Sequence, residues 1–178
     1  ATLADLRQYD VATYDSASKV LSVSDLRLTG YYENAQPTPT APAQVTMLGQ
    51  TFDVLPGAVS DLAAFAPGDT VTLLFTSDGR VAGALDPSVA RSTTVGVVES
   101  GSGNRAKVRP LLDFFNAAGE RVVFEGETNM SESNLSKLVG QLVTVSSGKD
   151  RIYLSRLTGG KQVSGSLNVS ARTLDGVE

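Results

Sequence analysis

Apolar and polar residues alternate with a period of two along almost the whole chain, or apolar residues gather in short runs bounded by Gly, Pro, Asp or Ser. That is the pattern of β-strands. Strands are predicted near 11–14, 20–31, 51–55, 70–75 and 81–85, with one helical stretch, Val59-Ser60-Asp61-Leu62-Ala63-Ala64-Phe65, between the third and fourth. The same order recurs further on. Strands fall near 94–99, 106–114, 121–125, 142–145 and 152–157, and Ser133-Asn134-Leu135-Ser136-Lys137-Leu138-Val139 is the helical stretch between third and fourth. The likeness is plainest between residues 45–85 and 121–157, and fixed-order self-similarity indicates a chain built of like units.

Five strands with a helix before the fourth is the order of an OB-type small barrel, with an SH3-like barrel as the close competitor. The expected fold is therefore all-β, mainly β with one short helix per unit, as two tandem small five-stranded OB-like or SH3-like barrels. The boundary falls at Asp86-Pro87-Ser88, since the residue before a proline is driven out of helical conformation. This gives a first module over 1–87 and a second over 88–178 that includes the start of a following segment, Ser166-Leu167-Asn168-Val169-Ser170-Ala171. So short a linker implies a fixed arrangement of the two. Units of roughly 90 residues are large enough to fold around a modest core.

Turn chemistry supports these boundaries. Hairpin turns are expected at 14–20, 99–105 and 147–150 and at Asp78-Gly79. Pro67-Gly68-Asp69 ends the first helix, while Ser131 or Ser133 caps the second and Gly140 ends it. Gln36-Pro37-Thr38-Pro39-Thr40-Ala41-Pro42-Ala43 reads as a stiff surface loop. In the fourth strand of each unit Val71, Leu73 and Phe75 alternate with Thr72, Leu74 and Thr76, and Val143 and Val145 with Thr144 and Ser146. The odd-numbered set is expected to be the buried one.

Hydrophobic residues make up 41 % and charged residues 19 % of the 178, the balance of a globular chain. No apolar run approaches the ~20 residues of a membrane helix. The chain opens at Ala1 without a basic, then apolar, leader, and reads as an excised piece of a longer protein.

The sequence contains no Cys and no His. This excludes thiolate catalysis, Cys/His zinc sites and the Ser-His-Asp triad, and no cofactor or metal is expected. A net charge of −4 argues against a broad phosphate-binding face. Ser16-Ala17-Ser18-Lys19 matches an acylating-enzyme motif but falls in a predicted hairpin turn rather than on a helix. Gly101-Ser102-Gly103-Asn104-Arg105-Ala106 matches a dinucleotide fingerprint, yet Lys107-Val108-Arg109-Pro110 follows and cannot open a helix. The scattered carboxylates read as solvated strand edges.

Two aromatic pairs, Tyr31-Tyr32 and Phe114-Phe115, sit late in or just after the second strand of each unit. Neighbours on a strand face opposite ways, so one of each pair can be core and the other exposed. OB barrels bind ligands on the face of their second and third strands. The candidate ligand-binding face is accordingly Arg105, Lys107, Arg109 and Phe114, with Tyr31 as its counterpart in the first unit; a structural role for both aromatic pairs is the competing reading.

A resemblance adds to this. The stretches Tyr9-Asp10-Val11-Ala12-Thr13-Tyr14-Asp15, Val23-Ser24-Asp25, Gly30-Tyr31-Tyr32-Glu33-Asn34-Ala35, Val45-Thr46-Met47-Leu48-Gly49, Gly68-Asp69-Thr70-Val71-Thr72-Leu73-Leu74 and Asp78-Gly79-Arg80-Val81-Ala82-Gly83 resemble repeat regions of S-layer homology domain-containing surface proteins of gut Firmicutes. The likeness is densest over 9–84, and the anchoring motif of that family is absent. It implies a spacer or adhesion-type portion of an exported cell-envelope protein and supplies no catalytic residues. The expected function is a non-enzymatic structural or binding module of a bacterial cell-surface, S-layer-type protein, located extracellularly at the surface or wall. Its expected partners are other regions of a longer parent protein or cell-envelope components, without membrane insertion and without nucleic acid. The alternatives are an OB-type module binding single-stranded nucleic acid or oligosaccharide, and a phage or other assembly component.

Overall fold

The first turn is shaped by Asp15, whose carboxylate accepts from the backbone N–H groups of Ala17 at 2.8 Å and Ser18 at 3.4 Å and from the Ser18 hydroxyl at 2.7 Å. These bonds hold the carboxyl below its ordinary value, the Ser18 hydroxyl foremost. Strand β1 (Val11–Asp15) thereby folds back on β2 (Val20–Ser24) as a two-stranded antiparallel sheet of its own. The structure is a computed structural model that describes residues 6–112 and 114–158, with the backbone of two further short strands, 167–168 and 173–174.

The single strand expected over 20–31 is two. The Ser24 hydroxyl accepts from the Leu26 N–H at 3.2 Å, a local bond that competes with the ladder and turns the chain out of the first sheet. Beyond it lie β3 (Arg27–Tyr31), β4 (Asn34–Gln36), β5 (Gln44–Met47) and β6 (Gln50–Asp53). The proline-rich segment is the loop between β4 and β5, entered through a cis Gln36–Pro37 peptide and closed by a bond from the Ala43 N–H to the Gln36 carbonyl at 2.7 Å. A 3-10 turn (Pro56–Ala58) runs into the short α1 (Val59–Leu62), followed by β7 (Thr70–Phe75) and β8 (Val81–Leu85). Two three-stranded sheets result, β4-β5-β6 and β3-β7-β8. A parallel bridge between Val54 and Val81 and a 2.9 Å bond from the Leu55 N–H to the Val81 carbonyl join them.

Further along come β9 (Thr94–Ser102), β10 (Arg105–Pro110), β11 (Phe124–Glu127), α2 (Glu132–Ser136), β12 (Leu142–Ser147) and β13 (Ile152–Arg156). They form one antiparallel sheet in the order β11-β10-β9-β12-β13. The Gly-rich segment 101–106 is the β9–β10 hairpin, as its turn chemistry predicts. Strands β14 (Leu167–Asn168) and β15 (Thr173–Leu174) pair with each other. The protein is thus mostly β, 47 % strand against 8 % helix, in several antiparallel sheets, and among the described residues none is closed into a barrel.

Burial departs from the expected alternation in one strand. Val143 and Val145 are buried and Ser146 is exposed, but every residue of β7 after Thr70 is buried, including Thr72 at 0 % exposure. β7 is paired along both edges as the central strand of β3-β7-β8, and burial of its successive residues shows that both faces are covered. Its polar positions are satisfied inside the protein instead of by water.

The core is continuous along the chain. Phe52 meets Phe75 edge-on at 5.0 Å, Phe75 meets Phe114 at 5.5 Å, and Phe114 lies 6.5 Å from Phe124. This row runs from the β4-β5-β6 sheet through β7 to the five-stranded sheet, and each such pair adds about 0.5–1.5 kcal/mol beyond the area it buries. At the same junction β3 passes close to the end of β12. A Cβ on Gly30 would sit 2.7 Å from the Ser147 hydroxyl oxygen, and the Tyr31 N–H donates to that oxygen at 2.7 Å.

Candidate functional site

Along β10 the side chains alternate cleanly: Arg105, Lys107 and Arg109 point to solvent, Ala106, Val108 and Pro110 inward. The structure brings the three cations together, but with carboxylates between them. Lys107 lies 3.3 Å and Arg105 3.8 Å from Glu125, Arg105 lies 4.0 Å from Glu127, and Arg109 donates to Glu99 at 2.8 Å. Each exposed pair is worth about 0–1 kcal/mol in stability. Their larger effect is on the field of this face, where cation and anion alternate.

Phe114 does not stand beside them. It is 1 % exposed and held between Phe75 and Phe124 in the core. Tyr31 lies on β3, half-buried, its hydroxyl 3.6 Å from where a Cβ on Gly68 would be. In each aromatic pair one member is core, Tyr32 or Phe114, and the other is half-buried, Tyr31 or Phe115. Burial pushes the Tyr32 hydroxyl above its ordinary pKa, and that hydroxyl has no hydrogen-bond partner among the described residues.

A separate concavity lies elsewhere. A cleft of about 470 Å3 opens between β3 and β12, bounded by the segment that leads into β9 and by Tyr153 of β13. Its floor is stitched by the Tyr31–Ser147 bond and by a 2.8 Å bond from the Ser92 N–H to the Thr29 hydroxyl. Its walls are rich in Ser and Thr, and among the described residues no carboxylate lines it. Arg91 stands there without an ion pair or side-chain hydrogen bond among the described residues. The Tyr153 ring lies against the backbone of the β12–β13 turn, since a Cβ on Gly148 would sit 2.9 Å from its Cε2.

Across that turn a smaller hollow of about 210 Å3 holds Glu33, Glu125 and Asp150 together with Lys149 and Arg151. The Gly49 N–H donates to both carboxylate oxygens of Glu33, at 3.0 and 3.2 Å. Burial nevertheless raises the Glu33 carboxyl above its ordinary value, against the opposing pull of the Gly49 and Leu48 N–H groups. Among the described residues no group of three or more side chains is placed to hold a metal ion, and no helix is long and apolar enough to cross a membrane.

Sequence reasoning did not single out Arg91 or Tyr153. Arg91-Ser92-Thr93-Thr94 follows the proline boundary and reads as linker, and its hydroxyl density was the one local signal of a polar wall. Comparison of the chain with protein-family models, with curated proteins and with solved structures finds no match in any of the three.

Proposed function

We propose that the chain is a non-enzymatic structural module of an exported bacterial cell-surface protein, a stiff segment made of two OB-like units, the second of them five-stranded. The observation that carries this reading is the aromatic row Phe52–Phe75–Phe114–Phe124, which makes one core of the two halves of the chain. A segment that transmits length or load gains from such a joint, because relative motion of its parts would expose apolar surface. Further bonds across the joint support it, from Gln50 Nε2 to the Val123 carbonyl at 3.0 Å and from the Ala117 N–H to the Thr51 carbonyl at 2.9 Å.

The OB-like reading is supported by strand order. In the five-stranded sheet the first strand lies between the second and the fourth, with third and fifth at the edges, the order of an opened OB barrel. In the first half β3 likewise pairs with β7, the strand after the helix, and the Val54–Val81 bridge joins the segment just after β6 to β8. The spent chemistry of β10 favours structure over catalysis, its cations being matched by Glu99, Glu125 and Glu127.

Two measurements test the proposal. Protease treatment of intact cells should release peptides of this chain, and recovery only after lysis would refute the surface location. Pulling the protein by its ends should extend both halves in one cooperative event; independent unfolding of two units at separate forces would refute the stiff joint.

A further inference from the structure

We propose that the cleft between β3 and β12 is a binding site for a carboxylated sugar, one residue or two of an acidic oligosaccharide. This goes beyond the structural role and does not depend on where the protein resides. At about 470 Å3 the cleft falls within the ~300–1,000 Å3 of small-ligand pockets, but its lining departs from the usual apolar kind. The hydroxyls of Thr70, Ser92, Thr93 and Ser146 line it with no protein hydrogen-bond partner among the described residues. An apolar ligand would strip them of water without replacing its hydrogen bonds, whereas a polyhydroxylated ligand would satisfy them as donors and acceptors.

Charge narrows the class. Among the described residues one unpaired guanidinium, that of Arg91, stands there among neutral hydroxyls, and the fork of an arginine matches a carboxylate in two parallel hydrogen bonds. A single cation suits a ligand carrying one negative charge per several hydroxyls. A polyphosphate or nucleic acid would bring more negative charge than Arg91 can meet, to a chain whose net charge is already −4. Tyr153 supplies an aromatic surface at the wall, 42 % exposed and backed by the Gly148 turn, against which the C–H face of a sugar ring can lie. The walls are fixed before any ligand arrives, because β12 is paired on both sides and the floor is bonded through Thr29 and Ser147. Little ordering cost then remains for binding.

The test is a titration of the isotope-labelled protein, followed by amide chemical shifts, with three probes: a tetrasaccharide alternating uronic acid with N-acetylhexosamine, a neutral glucose tetrasaccharide, and inorganic phosphate. The acidic tetrasaccharide should bind with a Kd of about 1 mM or tighter, moving the amides of Thr70, Ser92 and Ser146. Arg91→Ala should weaken it by about tenfold or more, the loss of one charge-assisted contact, and Tyr153→Ala by several-fold. Both residues are exposed, so both variants should keep the wild-type melting temperature, and Lys107→Ala on the β10 face should keep the wild-type Kd. The proposal is overturned if the cleft amides do not move, if the neutral sugar or phosphate binds as well as the acidic one, or if Arg91→Ala and Tyr153→Ala leave the Kd unchanged.

Discussion

The hydroxyls of Thr29 and Thr72 lie 2.8 Å apart, directly opposite each other on β3 and β7 and shielded from solvent. The Thr29 oxygen also accepts from the Ser92 N–H, so the pair ties the central strand of one sheet to the segment that leads into the next. Thr72→Val keeps the shape and removes the hydroxyl, leaving a buried polar group short of a partner. Urea denaturation should show a loss of about 1–3 kcal/mol. Thr40→Ala, in the exposed proline-rich loop, should stay within about 0.5 kcal/mol. Equal midpoints for the two variants would deny the threonine pair its role.

Phe114 touches both Phe75 and Phe124, so its truncation should be felt on both sides of the joint. Phe114→Ala is expected to cost about 3–5 kcal/mol. Because the core is continuous, the loss should appear as one shifted, still cooperative transition in tyrosine fluorescence and far-ultraviolet circular dichroism alike. A biphasic curve, with half of the signal melting at the wild-type midpoint, would mean that the halves stand independently.

In the second half the alternation of β10 was legible because it is local: it buries Ala106, Val108 and Pro110 and exposes Arg105, Lys107 and Arg109, but the strand expected over 106–114 ends at Pro110 and the one expected over 121–125 runs from Phe124 to Glu127. Strand β7 was misread on its even positions because Thr72 looks like a surface residue. Its partner, Thr29, is brought to it only by pairing with β3. The break at residue 25 was hidden for a similar reason, since alternation continues through it while the Ser24 side chain redirects the backbone. The candidate face was half legible. Cation spacing placed Arg105, Lys107 and Arg109 on one side, but the acids opposite them come from β9 and β11, and the row that takes in Phe114 joins residues far apart in sequence. The cleft was not legible, because its walls meet only when β3 and β12 are side by side.

Gly30 marks that meeting. Its missing Cβ would fall 2.7 Å from the Ser147 oxygen, which the Tyr31 N–H holds, and 2.9 Å from the sulfur of the buried Met47. Gly30→Ala should therefore destabilise by about 1–3 kcal/mol through overpacking. Ser147→Gly removes the clashing oxygen together with the acceptor of the Tyr31 N–H, so alone it should destabilise as well. The double variant should lose less than the sum of the two, with a coupling of about 0.5 kcal/mol or more. Additive losses in denaturant titrations would show that the two strands do not press on each other there.

Glu33 gives the stability of the fold a pH dependence opposite in sign to that of a salt-bridged acid. Burial raises its folded-state pKa above the ordinary 4.5, while the Gly49 and Leu48 N–H groups oppose the rise. Glu125, Asp150, Lys149 and Arg151 line the same hollow and are the same in variant and wild type. The folded protein then holds this proton more tightly than the unfolded chain. The stability that Glu33 contributes is fully present below the ordinary value and is lost as pH rises through the raised one. Glu33→Gln is neutral at every pH and keeps an oxygen for the Gly49 N–H, so it lacks that loss. Measured as a difference in urea midpoint between variant and wild type, the two should lie closest near about pH 4, and the variant should gain relative to wild type toward about pH 7. The other acids titrate in both proteins and cancel in the difference. A variant that instead falls behind as pH rises would mean that the ionised carboxylate is the form the fold prefers, with the Gly49 bonds outweighing the burial.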